Sequence, residues 1–354
     1  MISLDTARQE ALGMLKALIS TPSISRDETA AADIVLRTLT AHGYRPERHG
    51  NNVLCRSRWF DESRPALLLN SHIDTVRPVS SWTRDPFTPS VEDGRLYGLG
   101  SNDAGASLVS LIQVFLMLDE TRNKLNMIFL ASCQEEVSGK EGMRMMASEL
   151  PRLGLAIIGE PTSMQPAIAE KGLMVIDIDV HGKSGHAARD EGINAIYRAT
   201  EVISMIRECR FPKESKLLGP VRMTVTVANG GTQHNVVPDL CRLTVDIRSN
   251  EFYTNRQIFD KLKSMLPEWC DVQARSFDLN SSSIDITHPI IQRAVGMGLT
   301  PFGSPTLSDQ SLLDCPSFKI GPGMSSRSHS ADEYICLSEL DAAIPLYLSL
   351  LQNL

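Results

Sequence analysis

The sequence predicts an α/β protein: an open, mostly parallel sheet with helices on both faces, interrupted by a smaller α+β insertion. Three observations predict it. Short apolar runs at 66–69, 127–131 and 155–158 have the length and flanks of strands buried on both faces, and a helical stretch from about 104 to 118 separates the first two. That alternation places helices over both faces of one sheet. Beyond Lys171 the pattern changes to period two, and near Ser283 the first pattern returns. The expected organisation is a first domain built from residues 1–171 and 283–354, with residues 172–282 inserted as a satellite.

In chain order, a first helix is expected over 5–19, where Leu12, Leu15, Leu18 and Ile19 share a face and Thr21-Pro22 ends it. A second begins at Ser25, with Glu28 three residues on as in a capping box, and ends at Gly43. In the insertion, Met174, Ile176, Ile178 and Val180 alternate with Leu173, Val175, Asp177 and Asp179. Val221, Met223, Val225 and Val227 alternate with polar residues in the same way, as do Cys241, Leu243, Val245 and Ile247. Each reads as a strand with one wet face. Helices near 193–209 and 255–265 and a last strand near 272–277 complete a βαββαβ, ferredoxin-like order.

Composition bounds the function. A hydrophobic share of 42% against 22% charged, over 354 residues, excludes a disordered chain. With 42 acidic and 35 basic residues the net charge is −7, so no nucleic acid and no anionic membrane is expected as a partner. The longest apolar stretch, 108–118, is interrupted by Gln113 and falls short of the roughly 20 residues of a membrane span. The N-terminus lacks the basic and apolar regions of a signal peptide. The seven cysteines form no CxxC pair, which fits reduced thiols in a cytoplasm.

Five spots set carboxylates or imidazoles after apolar runs or glycine turns. His72-Ile73-Asp74 follows the first run, Glu135-Glu136 the second, and Glu160 the third, in Gly159-Glu160-Pro161-Thr162. Asp103 follows Gly98-Leu99-Gly100 and precedes a helix; His329 follows Gly321-Pro322-Gly323. Singly, an HxD or a Glu-Glu pair is ordinary solvated surface. The carboxyl ends of strands in an open α/β sheet converge on one crevice, however. Charged groups there are costly unless paired or metal-bound. Their convergence points to a divalent-metal site, and imidazole with carboxylate suits zinc, cobalt or manganese rather than calcium or magnesium. Two metals about 3.5–4 Å apart need a bridging carboxylate and roughly two terminal ligands each. His72, Asp103, Glu136, Glu160 and His329 supply that number, and Glu135 is left beside the site as a general base. No dinucleotide loop is expected, because the third glycine of GxGxxG is misplaced and Asp103 would repel a phosphate.

Together these motifs resemble the five of the di-zinc aminoacylase family, which includes acetylornithine deacetylase, succinyl-diaminopimelate desuccinylase and related carboxypeptidases. The resemblance covers nearly the whole chain. It implies a co-catalytic zinc exopeptidase-like fold whose inserted domain forms a homodimer. By position, it implies that His72 and Glu160 hold one metal, Glu136 and His329 the other, and that Asp103 bridges them. Asp74 would orient His72 from behind, and Glu135 would be the general acid/base. The stretch Gly182 to His186 resembles the family's Gly-x-x-x-His, whose histidine reaches the partner subunit's active site and helps stabilise the oxyanion. In the stretch 230–238, Asn235 would contact substrate, and Arg248 would hold the substrate α-carboxylate through its planar guanidinium. A strand-face salt bridge is the other reading of Arg248.

Leu99 and Gly105 stand where relatives often carry Arg and Lys. This variant resembles a bacterial branch associated with arginine biosynthesis that handles N-acylated ornithine or citrulline. The implied activity is metal-dependent hydrolysis of a small N-acyl amino acid, the acyl group being acetyl. The alternatives are a dipeptide or an N-succinyl substrate, whose extra carboxylate would need a cation such as Arg77, Lys171 or Arg327. A non-catalytic metal-dependent binding protein is the alternative outside enzymes, and a retained Glu135 argues against it.

Overall fold

The computed structural model describes residues 2–121, 125–189 and 191–352. The chain divides into two compact units. One comprises the chain up to Ile168, Ile284–Phe302 and the segment from Ser308; the other comprises Ala169–Ser283 and Gly303–Leu307.

The first unit opens with α1 (Leu4–Ile19), capped by the Ser3 hydroxyl, which accepts from the Thr6 N–H at 3.1 Å. Helix α2 (Thr29–Ala41) starts later than expected. Ser25 does not cap it: the Ser25 hydroxyl instead donates to Asp74 Oδ2 at 2.6 Å. Glu28 is buried and accepts from the N–H groups of Arg26 and Gln134. The capping-box pattern was therefore recruited to hold a strand end. The helix closes as expected near Gly43, whose φ of +80° lets the Tyr44 N–H return to the Leu39 carbonyl at 3.1 Å.

Along the chain follow β1 (Glu47–His49), β2 (Asn52–Arg56), β3 (Ala66–His72), β4 (Ser90–Glu92), β5 (Arg95–Tyr97), α3 (Ala106–Glu120), β6 (Met127–Ser132), α4 (Met143–Met146), β7 (Leu153–Ile158) and β8 (Ala167–Glu170). The second unit contributes β9 (Gly172–His181), β10 (Gly185–His186), α5 (Ala195–Glu208), β11 (Arg222–Gly230), β12 (Val236–Val237), β13 (Leu240–Ser249), α6 (Asn255–Met265) and β14 (Cys270–Ala274). Then come β15 (Ser282–Ser283), α7 (Pro289–Gly296), β16 (Phe302–Ser304), β17 (Ser317–Lys319), β18 (Tyr334–Cys336) and α8 (Leu337–Leu351).

The main sheet has the order β1-β2-β6-β3-β7-β17-β8-β15. Its four central strands, β6, β3, β7 and β17, run parallel, and the flanking pairs are antiparallel. Strands β3 and β6 are buried along their whole length, as strands covered on both faces must be. The cover is unequal. Leu67, Leu69 and Phe129 pack with α1, α2, α3 and α8, whereas Leu68, Ile128 and Leu130 face the short α4 and the turn Asp309–Leu312. The segment Ser101–Glu120 is long and apolar enough to cross a membrane by composition, but it lies buried in this unit as its core helix.

The second unit is a four-stranded antiparallel sheet of order β11-β13-β9-β14. With α5 and α6 between the strands, this is the ferredoxin-like order. Met174, Ile176, Ile178 and Val180 bury against Leu243, Val245 and Ile247 and the helices. The expected wet-face alternation fails in β11: Val227 is exposed because the register slips between Val225 and Val227.

Truncating Leu69→Ala, fully buried in the middle of β3, is expected to destabilise by about 2–5 kcal/mol. Urea unfolding of the two proteins checks this through a lowered midpoint at unchanged slope.

Candidate metal centre

Because β6, β3, β7 and β17 are parallel neighbours, their carboxyl ends lie along one edge. His72 is the last residue of β3. Glu135 and Glu136 follow β6, Glu160 follows β7, and the chain leaving β17 leads to His329. Asp103 arrives on the turn Ser101–Gly105 that precedes α3.

The geometry centres on Asp103. Its Oδ1 lies 3.2 Å from His72 Nε2, and its Oδ2 lies 3.7 Å from His329 Nε2. Glu160 Oε1 is 3.9 Å from His72 Nε2, and Glu136 Oε2 is 2.9 Å from His329 Nε2. One carboxylate thus stands between two arms, each made of one imidazole and one further carboxylate. Donor atoms of His72, Asp103 and Glu136 all lie within 4.8 Å of one another.

The electrostatics agree with that donor set. Burial, reinforced by Asp103 and Glu136 against the pull of His72, pushes the Glu160 carboxyl up to about 8. Burial also raises Glu135 well above the carboxylate range; His72 opposes the rise, and Glu160, Asp309 and Glu136 add to it. Burial opposes a charge on His72, yet Asp103 and Asp74, with Glu135 and Glu160 beyond, hold the imidazole well above its usual value. The hydrogen bond to Glu136 raises His329 to about 9. Two buried carboxyls, Glu135 and Glu160, that burial and neighbouring carboxylates both push up mark a site short of positive charge. Divalent cations supply it, and mixed imidazole and carboxylate donors fit ions of the zinc, cobalt and manganese type.

Asp74 does more than the sequence indicated. Its backbone carbonyl, at 2.9 Å, is the nearest partner of His72 Nδ1, with its Oδ1 at 3.5 Å. Its carboxylate meanwhile accepts from the N–H groups of Glu135 at 3.0 Å and Glu136 at 3.2 Å, and from Ser25. It therefore sets both His72 and the Glu135–Glu136 turn.

Sequence reasoning missed Glu333. Its buried carboxylate accepts from three backbone N–H groups, those of Gly100, Asn102 and Asp103, at 3.1, 2.8 and 2.9 Å. Asn102, one residue before Asp103, donates to the Met324 carbonyl and Ser328 Oγ and accepts from the Met324 N–H. Glu333 and Asn102 thus fix the Asp103 turn against the segment that carries His329. The only sequence signal was an acid in a segment, Asp332-Glu333-Tyr334, otherwise poor in charge partners.

The remaining candidates lie in the second unit. His186 is exposed, and its Nδ1 accepts from the Ala188 N–H. Its strand pairs with β12, and the Ala187 N–H donates to the Asn235 carbonyl at 3.0 Å, so the two glycine-rich motifs meet. Arg248 makes the strand-face salt bridge: Nε and a terminal nitrogen reach the two oxygens of Asp246 at 2.9 and 3.2 Å. Of the other histidines, His181 pairs with Asp271 and His288 caps α7.

Parallel strands delivering imidazoles and carboxylates to one edge define a metal-dependent hydrolase of the metallopeptidase class. The chain belongs to Peptidase family M20/M25/M40, whose family model matches residues 68–353. It is 28% identical over 371 aligned residues to the acetylornithine deacetylase of Proteus mirabilis (strain HI4320), covering 96% of this chain and 95% of that protein. In fold it resembles a tripeptidase of Staphylococcus aureus, with a TM-score of 0.77, 22% identity and 98% of both chains covered. It also resembles the Bacillus subtilis YXEP protein, described as a dinuclear metal binding peptidase from the M20 family, with a TM-score of 0.75, 16% identity and 98% of both chains covered.

Replacing Glu333→Gln is expected to weaken metal binding about 10- to 100-fold. Chelator competition on the purified variant measures this, and an unchanged affinity would remove Glu333 from the role of holding Asp103.

Proposed function

We propose that the chain is an N-acyl amino acid amidohydrolase with two divalent metals per subunit, zinc in the cell and cobalt as a working substitute. Its substrate class is N-acylated ornithine or citrulline in arginine biosynthesis. The observation that carries the reading is Asp103 between its two imidazole–carboxylate arms, with Glu135 beside them. The names of the curated relatives support the acetyl group. An N-succinyl substrate and a dipeptide are the readings to be separated from it.

His72 and Glu160 would hold one metal and Glu136 and His329 the other, with Asp103 shared. Bound there, divalent ions polarise an amide carbonyl and lower the pKa of water. Glu135 takes the proton of the attacking water and later returns it to the departing amine nitrogen. A buried carboxyl held above the usual carboxylate range suits both transfers. Asp74 keeps that carboxyl in place through the two N–H groups it accepts. His186 would stabilise the oxyanion in the site of a neighbouring copy, in a homodimer formed through the inserted unit; the exposure of its ring supports this role. Asn235 would touch substrate, and Arg248 would exchange Asp246 for the α-carboxylate. Seven free cysteines fit a reducing compartment such as the cytoplasm.

Amine release from N-acetylornithine, N-acetylcitrulline, their N-succinyl counterparts and a set of dipeptides tests the reading. A preference for one acylated ornithine or citrulline is expected, and activity confined to dipeptides would overturn it. Glu135→Gln should keep its metal and lose about 10²–10⁴-fold in kcat. Near-normal kcat would exclude Glu135 as the base.

A further inference from the structure

His329 differs from the other residues of the centre in how it is held. Its side chain is 55% exposed, against 1% for His72, 7% for Glu136, 13% for Asp103 and 14% for Glu160. Packing fixes the other four side chains and leaves the His329 ring to its backbone. That backbone is unusual. At His329 φ is +57°, in the left-handed region that residues other than glycine rarely enter. Such a conformation persists where the surrounding contacts over-determine it.

The strongest of those contacts starts two residues upstream. Arg327 ends the short turn Ser325–Arg327, and its two terminal nitrogens donate to the two oxygens of Glu339 at 2.6 and 3.2 Å. The Arg327 side chain is 14% exposed, so this fork is directional and largely shielded, unlike an ion pair in open solvent. The guanidinium also lies over the Tyr334 ring, 4.5 Å from its centroid. Both partners sit on fixed elements. Glu339 is in the first turn of α8, where it accepts from the Cys336 N–H at 3.0 Å, and Tyr334 pairs in β18 with Tyr97 of β5. The Ser330 hydroxyl returns to the Arg327 carbonyl at 2.7 Å, spanning His329. Asn102 holds Met324 and Ser328 on the same side of the loop. The far side is pinned separately, by Asp332 on the Thr83 and Arg84 N–H groups and by Glu333 on the Asp103 turn.

We propose that Arg327 is a positioning residue for the metal centre: by clasping Glu339 it sets where the His329 imidazole stands. The inference rests on the two-metal reading, in which His329 is a ligand. It also gives Arg327 a task other than meeting a substrate carboxylate, because its terminal nitrogens are engaged within the chain.

Zinc binding to the purified full chain, measured by chelator competition, tests this as a double-mutant cycle. Arg327→Gln is expected to weaken zinc binding about three- to tenfold in the otherwise unchanged chain. In a His329→Ala background the same substitution should change it by less than about twofold, because the ligand it positions is gone. A purely structural role would cost the same in both backgrounds. Glu339→Gln keeps an oxygen for the Cys336 N–H and should reproduce the loss. Combined with Arg327→Gln it should add nothing further. Unchanged zinc affinity in Arg327→Gln, equal losses with and without His329, or additive losses with Glu339→Gln overturn the proposal. If His329→Ala binds zinc as the unaltered chain does, the two-metal reading falls instead. Hydrogen exchange of the metal-free chain then decides the clasp. Exchange over 325–331 that is several-fold faster in Arg327→Gln, with α8 unaltered, supports it, and equal exchange overturns it.

Discussion

Burial of Glu135 and Glu160 among neighbouring carboxylates sets the terms for everything at the carboxyl edge of the main sheet. Taking a carboxylate out of water is expensive, and placing several together multiplies the cost. The rise of Glu160 to about 8 is the local expression of that cost. Two imidazoles offset part of it, and divalent cations, as proposed, would offset the rest. The same crowding that would weaken an ordinary core suits this edge to divalent cations, as proposed above.

Such a cluster needs a rigid frame, because small displacements of charged donors change both affinity and pKa. The parallel strands supply the frame, with side chains buried on both faces and four neighbouring carboxyl ends aligned. Two further acids tune it without joining it. Asp74 accepts from the Glu135 and Glu136 amides, and Glu333 accepts from three amides around Asp103. Each turns its carboxyl oxygens to backbone N–H groups, an arrangement that fixes the backbone as well as the side chain. The turns that carry Asp103, Glu135 and Glu136 are thereby held by two further carboxylates.

Much of this was legible in the sequence, for a physical reason. A buried parallel strand is a short apolar run, so the residues just beyond it are recognisable as edge residues, and His72, Glu135, Glu136 and Glu160 all follow such runs. The period-two pattern of 174–180 and 241–247 likewise marked strands with one buried face. What escaped depends on long-range pairing. Glu333 lies 230 residues from the Asp103 amide it accepts from, and no local pattern links them. Ser25 and Glu28 satisfied a local capping rule, but Asp74 offered Ser25 a stronger, charged acceptor. The slip at Val225/Val227 needs the partner strand to be visible. The unequal cover of the two sheet faces depends on α4 being a single turn, Met143–Met146, which no periodicity can announce.

The proposed chemistry depends on Asp103 being shared between two metal positions. Anomalous diffraction from crystals of the zinc-loaded protein tests it most directly. Two peaks about 3.5–4 Å apart, on either side of the Asp103 carboxylate, are expected. One would lie against His72 and Glu160, and the other against Glu136 and His329. A single peak at full loading, or a pair of peaks with Asp103 bound to neither, would contradict it.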